Sequence, residues 1–186
     1  MDNLKHKMTE EALMIEIKNG NLDLASELYD KYSKKLYNYF VKLSQDRDSG
    51  YDMMQDTFLR MIKYKHTYKE TGSFKTWIFQ IARNVFRDYY KKNKKIYASY
   101  EDVYEFHEVL QPDEDHSELE DKKVLLHKSM QKLPEDAREI LVLSRYKDLK
   151  YQEIADITNL SVSHVKVKVF RAIQKLREYY FEMDKV

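Results

Sequence analysis

The 186-residue chain is 42% hydrophobic and 35% charged, with a formal net charge of +1, three glycines, two prolines and no cysteine. That length supports one or two modest cores, so two small domains are expected, and so little Gly and Pro leaves few turns for a β protein, which predicts an all-α fold. The lack of cysteine excludes a disulfide framework and a thiolate metal site and fits a reducing, cytoplasmic setting.

The N-terminus, MDNLKHKMTEEALM, has neither a long apolar run nor a small-residue cleavage site, and no eighteen-residue apolar segment occurs, so no membrane insertion is expected. The near-neutral total conceals a segregated field. Between Phe74 and Lys95 lie Lys75, Arg83, Arg87, Lys91, Lys92, Lys94 and Lys95 against Asp88 alone, whereas residues 101–121 carry ten acids and no Lys or Arg.

In chain order, residues 9–18 read as a short helix with Thr9 as N-cap, and Asn19-Gly20-Asn21 reads as a turn. From Asp23 to Leu43, the residues Leu24, Leu28, Tyr32, Leu36, Tyr39, Phe40 and Leu43 recur at helical spacing. Ser44 to Gly50 (SQDRDSG) reads as a break. A third helix over residues 52–64 places Met53, Met54, Thr57, Phe58, Met61 and Ile62 in a core.

On that third helix Asp52, Gln55 and Asp56 fall at i, i+3 and i+4, one surface patch beside adaptable methionines where a partner could dock. Acids in a first helical turn would equally complement the helix dipole. Residues 66–73 (HTYKETGS) read as a loop, with Ser73 as N-cap of the next helix.

Residues 74–95, FKTWIFQIARNVFRDYYKKNKK, show Phe74, Trp77, Ile78, Ile81, Ala82, Val85 and Tyr89 on one helical face. The opposite face gathers Thr76, Gln80, Arg83, Asn84, Arg87, Lys91 and Lys94, cations and amides suited to phosphates and bases. An ordinary amphipathic helix with a solvated basic side would show the same pattern.

Residues 96–117 combine acids, Pro112 and scattered aromatics and read as a linker. A helix follows over residues 118–133, with Leu119, Val124, Leu125, Met130 and Leu133 apolar, then Pro134 and a helix over 135–147. Residues 151–158, the turn Asn159-Leu160-Ser161 and a long helix from Val162 to Tyr180 have the spacing of a helix-turn-helix. Asn159 suits a left-handed turn position, Ser161 is the N-cap, and Ile154, Ala155, Leu160, Val165 and Val169 form its small core. The second helix then exposes Ser163, His164, Lys166, Val167, Lys168 and Arg171, a set able to read bases and phosphates. A bundle hairpin with a wet basic face is the plainer alternative.

These signals together resemble the short two-domain sigma factors of bacterial RNA polymerase, the extracytoplasmic-function (ECF) group of the primary sigma family. Asp52-Met-Met-Gln55-Asp56-Thr-Phe58-Leu59-Arg60 is similar to the family's core-polymerase-binding helix. Trp77-Ile-Phe-Gln-Ile81-Ala82-Arg83-Asn84 with Asp88-Tyr89 is similar to its promoter-melting, minus-ten-reading helix. Leu133-Pro134-Glu135, Tyr151-Gln-Glu153-Ile154-Ala155 and residues 165–172 (VKVKVFRA) are similar to its minus-thirty-five-reading domain.

The resemblance implies an N-terminal sigma domain over 1–95, an acidic linker over 96–117 and a C-terminal helix-turn-helix domain over 118–186. It implies that Asp52, Gln55, Asp56 and Phe58 bind core RNA polymerase. Promoter DNA at the minus-ten element would meet Trp77, Gln80, Arg83, Asn84, Arg87, Lys91 and Lys92, with Asn84 at an extruded base. Minus-thirty-five DNA would meet Ser163, His164, Lys166, Val167, Lys168 and Arg171. An anti-sigma partner is implied as well.

Some positions depart from the family's usual residues: Tyr51 where an acid is common, Asp56 where Glu is common, Asn159 where Gly is common, and His164 to Lys168 where Thr, Ser and Arg are typical. Val167 can touch a thymine methyl but donates no hydrogen bond, and Lys168 lacks the bidentate fork that arginine offers guanine. The alternative is a dimeric helix-turn-helix regulator acting without polymerase. The six histidines show no paired metal spacing and no Gly-rich phosphate loop occurs, so no cofactor, metal or enzymatic activity is expected.

Overall fold

A computed structural model describes residues 8–97, 118–145 and 149–184, with side chains of 93–97 and 118–120 left aside. Among the described residues the regular elements are all helical: α1 Glu10–Asn19, α2 Ala25–Ser44, α3 Arg47–Lys63, α4 Phe74–Tyr97, α5 Glu118–Gln131, α6 Glu135–Ser144, α7 Tyr151–Thr158 and α8 Val162–Met183. Short 3-10 turns at Leu22–Leu24 and Lys65–Thr67 precede α2 and follow α3. The all-α expectation holds. The acidic segment, apart from its first two residues, lies outside the described residues, as do Tyr146 and Lys147 at the expected end of the helix that closes at Ser144.

Two compact units result. The first gathers the chain up to Tyr89 with Ala155–Asn159; the second takes Tyr90–Ile154 with the chain from Leu160.

In the first unit, α1 starts where Thr9 Oγ1 accepts the Ala12 N–H at 3.2 Å and stops at Gly20, whose φ of 116° turns the chain left-handed. Its stripe of Leu13, Met14 and Ile17 is fully buried. The stripe of α2, Leu28, Tyr32, Leu36, Tyr39, Phe40 and Leu43, is buried as its spacing predicts.

Helix α3 begins earlier than the SQDRDSG run suggests. Asp46 caps it by accepting the Ser49 N–H at 2.5 Å, and the helix runs through Ser49 and Gly50. Gly50 is helical because α2 passes close: a Cβ there would lie 2.6 Å from Val41 Cγ2 and 3.3 Å from the Val41 backbone nitrogen. Close helix approach, not turn formation, explains this glycine.

Helix α4 is buried over more of its circumference than a single stripe would give. Phe79 and Phe86 are buried beside Phe74, Ile78, Ile81, Ala82 and Val85, and Arg83 is buried with them. At 100° per residue these positions span roughly 200° of the helix. The aromatic layer is continuous: Tyr39 meets Phe79 edge-on at 5.5 Å, and Phe74 meets Tyr32 at 5.2 Å.

In the second unit Pro134 precedes α6, and Arg138 Nη2 donates to the carbonyls of Gln131 (2.6 Å) and Leu133 (3.2 Å), satisfying the C-terminal end of α5. Residues 140–143 of α6 are all buried. Ser161 Oγ accepts the His164 N–H at 3.3 Å, and Asn159, which belongs to the first unit, has φ 55°, each as the sequence predicts for its position. Ile154, Ala155, Val165 and Val169 are buried, while Leu160 is only half-buried.

Candidate nucleic-acid and partner interfaces

The first candidate surface is the outer side of α3. Asp52 and Gln55 are exposed, and Asp56 is about half exposed. Asp56 is not a free charge, since Arg60 Nη2 sits 3.0 Å from its Oδ2 while Arg60 Nη1 donates to Asp88 Oδ2 at 2.6 Å. That bridge ties α3 to α4. The hydrogen bond to Asp88, with Asp56 adding to it, raises the Arg60 pKa above its ordinary value.

Phe58 does not stand on this surface as expected. It is 8% exposed, its ring tilted against Tyr29 at 4.8 Å, because it belongs to the same i, i+4 core stripe as Met54 and Met61. The apolar groups that do face outward are Leu59 (70% exposed) and Tyr51 (48%), with Tyr29 of α2 beside Phe58. Leu59 and Tyr51 were legible in the sequence as large apolar side chains off the core stripe. Leu59 lies at i+7 from Asp52 and i+4 from Gln55, and Tyr51 at i−4 from Gln55, so both adjoin the patch those two residues form.

The second surface is the remaining arc of α4. Asn84, Arg87 and Lys91 are exposed on it, Trp77 and Gln80 are half-buried, and Lys92 is exposed too but at the angular position of Phe74, five turns further along. Arg83 departs from expectation: it is 8% exposed and lies toward the core side rather than with the outward cations. At i+4 from Phe79 it falls on the widened buried arc, and its Nη1 reaches the Ile157 carbonyl at 3.5 Å within the same unit. Gln80 Nε2 likewise donates to the Asp156 carbonyl at 2.9 Å.

Trp77 is held in place. Its ring is 5.2 Å from Tyr68, edge to face, and 6.2 Å from Phe74. It forms one wall of a cavity of about 550 Å³ whose other walls include Thr67, Tyr68, Gly72, Ser73, Thr76 and Gln80. The loop between α3 and α4, a plain connection by its sequence, is therefore a wall of this cavity. Tyr68 is 2% exposed, and burial, with the Glu11 carboxylate adding to it, pushes its phenol up to about 12.

The third surface is α8. Ser163, His164, Lys166, Val167 and Arg171 are exposed, with Phe170 also outward at 62%. Lys168 is engaged inside its own unit: its Nζ donates to Asp136 Oδ2 on α6 at 2.6 Å, and this contact holds the Asp136 carboxyl below its ordinary pKa. Among the described residues no group of three His, Cys, Asp or Glu side chains could hold a metal, and no helix is long and apolar enough to cross a membrane.

Residues 28–96 match the Sigma-70 region 2 family and residues 123–176 match Sigma-70 region 4. The chain is 33% identical over 156 residues to the ECF RNA polymerase sigma factor SigM of Bacillus subtilis (strain 168), covering 83% of this chain and 93% of that one. It is 30% identical over 139 residues to the ECF RNA polymerase sigma factor EcfG of Rhodopseudomonas palustris (strain TIE-1), covering 74% and 75%. Its fold is similar to that of CnrH, solved in complex with the cytosolic domain of CnrY (TM-score 0.67, 22% identity, 91% of this chain and 95% of that one). The sigma factor RpoE of Bartonella quintana, solved with the anti-sigma factor NepR, superposes with TM-score 0.65 at 22% identity, over 83% and 94% of the two chains. Matches to both regions in this order do not favour a polymerase-independent dimeric regulator, and the chain belongs to the ECF sigma factors, regulatory factors of transcription initiation.

Proposed function

We propose that α3 docks this sigma factor on core RNA polymerase through Asp52, Gln55 and the outward apolar groups Leu59 and Tyr51, while α4 captures an opened promoter strand. The observation carrying this reading is the remaining arc of α4: Trp77 in a cavity wall, then Asn84, Arg87 and Lys91 exposed along the same side, with Lys92 exposed next to Lys91. Unstacking a base costs a few kcal/mol, and stacking on an aromatic with an amide at the base's polar edge returns roughly 1–3 kcal/mol per base, so such an arc favours the open strand. The cations hold the backbone phosphates. Gln80 and Arg83 play a lesser part, being engaged with backbone carbonyls.

Upstream duplex meets α8 through Ser163, His164, Lys166, Val167 and Arg171. Lys168 contributes as a strut to Asp136 rather than as a base reader. The N-terminal sigma domain spans 1–95, the acidic segment 96–117 links it, and 118–186 forms the C-terminal domain. The protein acts in the cytoplasm with polymerase, performs no catalysis itself, and is restrained by an anti-sigma partner, as the solved complexes of CnrH with CnrY and of RpoE with NepR support.

In vitro transcription with core polymerase over a genomic DNA library tests the reading. Sequence-selected start sites are expected, and Asn84→Ala should impair strand opening while leaving core binding intact. Start sites scattered at the level of core enzyme alone would sink it.

A further inference from the structure

Helix α1 lies outside the residues that match Sigma-70 region 2, yet it grips the cavity wall at several points. Glu11 Oε1 accepts the backbone N–H of Phe74, the first residue of α4, at 3.2 Å. Lys18 Nζ donates to the Tyr68 carbonyl at 3.1 Å and lies 3.8 Å from Glu70 Oε1. In return, Lys65 Nζ donates to the Ile17 carbonyl at 3.2 Å, at the end of α1.

The chain from 65 to 74 is thus tied to α1 at its start, its middle and its end. Between these ties the Tyr68 hydroxyl donates to the Gly72 carbonyl at 2.7 Å, bracing the loop across its width, and the Tyr68 ring packs edge-on against Trp77. The polar contacts of α1 divide cleanly. Glu10 faces α2, hydrogen-bonded by Tyr32 and 3.8 Å from Lys31, while Glu11 and Lys18 reach the loop and the start of α4. The apolar stripe of Leu13, Met14 and Ile17 already anchors α1 in the core, and Glu10 adds its contacts to α2, so the contacts of Glu11 and Lys18 act on the loop rather than on that anchor.

We propose that Glu11 and Lys18 are positioning residues for base selection: they set the path of the α3–α4 loop, and with it the placing of Tyr68 against Trp77, so that the cavity accepts some bases and excludes others. The inference rests on α4 and the cavity being the base-reading site. A loop held at a few backbone points can reject a misfitting base; a loop free to shift by about an ångström accommodates several, since a small misplacement is enough to lose selectivity.

The test is run-off transcription by core polymerase and full-length protein on templates that differ only in the opened bases. Lys18→Met and Glu11→Ala should reduce the ratio of preferred to non-preferred template roughly 3- to 10-fold, the scale of one hydrogen bond. Core affinity should stay at the wild-type value, and Lys18→Arg, which keeps a donor, should restore the ratio. A wild-type ratio in both variants would overturn the proposal, as would an equal fall on every template that follows the melting temperature. Trp77→Ala separates the two levels: if it loses selectivity while Lys18→Met keeps it, the role of α1 alone is wrong, and if Trp77→Ala keeps full selectivity, the base-reading site is wrong and this inference falls with it.

Discussion

Neighbouring residues on α3 offer a clean separation of folding from docking. Phe58 is 8% exposed and Leu59 is 70% exposed, although they are adjacent in sequence. Full burial of a leucine side chain is worth about 1.5–3 kcal/mol, so the exposed share of Leu59 represents roughly 1–2 kcal/mol that only a partner can recover. At about 1.4 kcal/mol per tenfold, Leu59→Ala should weaken core polymerase binding by roughly 5- to 30-fold. Its melting temperature should hardly move, because exposed substitutions cost within about 0.5 kcal/mol. Phe58→Ala should do the reverse, removing a buried ring packed on Tyr29 at a cost of about 3–5 kcal/mol of stability. Fluorescence titration against core polymerase, paired with thermal unfolding of each variant, reads both quantities. Wild-type affinity for Leu59→Ala, or a clear loss of its stability, would refute the placement of the docking face on the outer side of α3.

Gly50→Ala should destabilise the first unit: overpacking against the stiff Val41 side chain costs about 1–3 kcal/mol, against about 1 kcal/mol of gained helix propensity, so thermal unfolding should show a net loss near 1 kcal/mol. Tyr68→Phe should cost about 0.5–1.5 kcal/mol by removing the hydrogen bond to the Gly72 carbonyl. In the wild type, the raised phenol makes this contribution fully present below pH about 10 and lost as pH rises toward about 12, readable by tyrosinate absorbance alongside unfolding. Asp136 runs the other way. Its pKa is depressed by the Lys168 hydrogen bond, so its contribution stands above the ordinary carboxylate pKa and disappears as pH falls through the lower folded value. Urea unfolding should therefore show a small advantage of wild type over Asp136→Asn at neutral pH, reduced by solvent screening because the Asp136 side chain is 64% exposed, and none in acid.

Periodicity and local chain chemistry were sufficient to read most of the helices, the caps at Thr9 and Ser161, and the left-handed Asn159, because each depends on residues within one or two turns. The family motifs were legible for the same reason, as short runs at fixed spacing. Three features were not, and each depends on a neighbour far along the chain. Gly50 reads as a turn until Val41 is seen against it. Arg83 reads as an outward cation until Phe79 and Phe86 widen the buried arc of α4. The loop over 66–73 reads as a connector until Lys18 and Glu11, fifty or more positions before the residues they bond, are found holding it. A sequence sets which side of each helix is apolar, since that is a matter of local spacing. How wide a face is covered, which charges are already paired and which loop becomes a wall are decided only when separate helices meet.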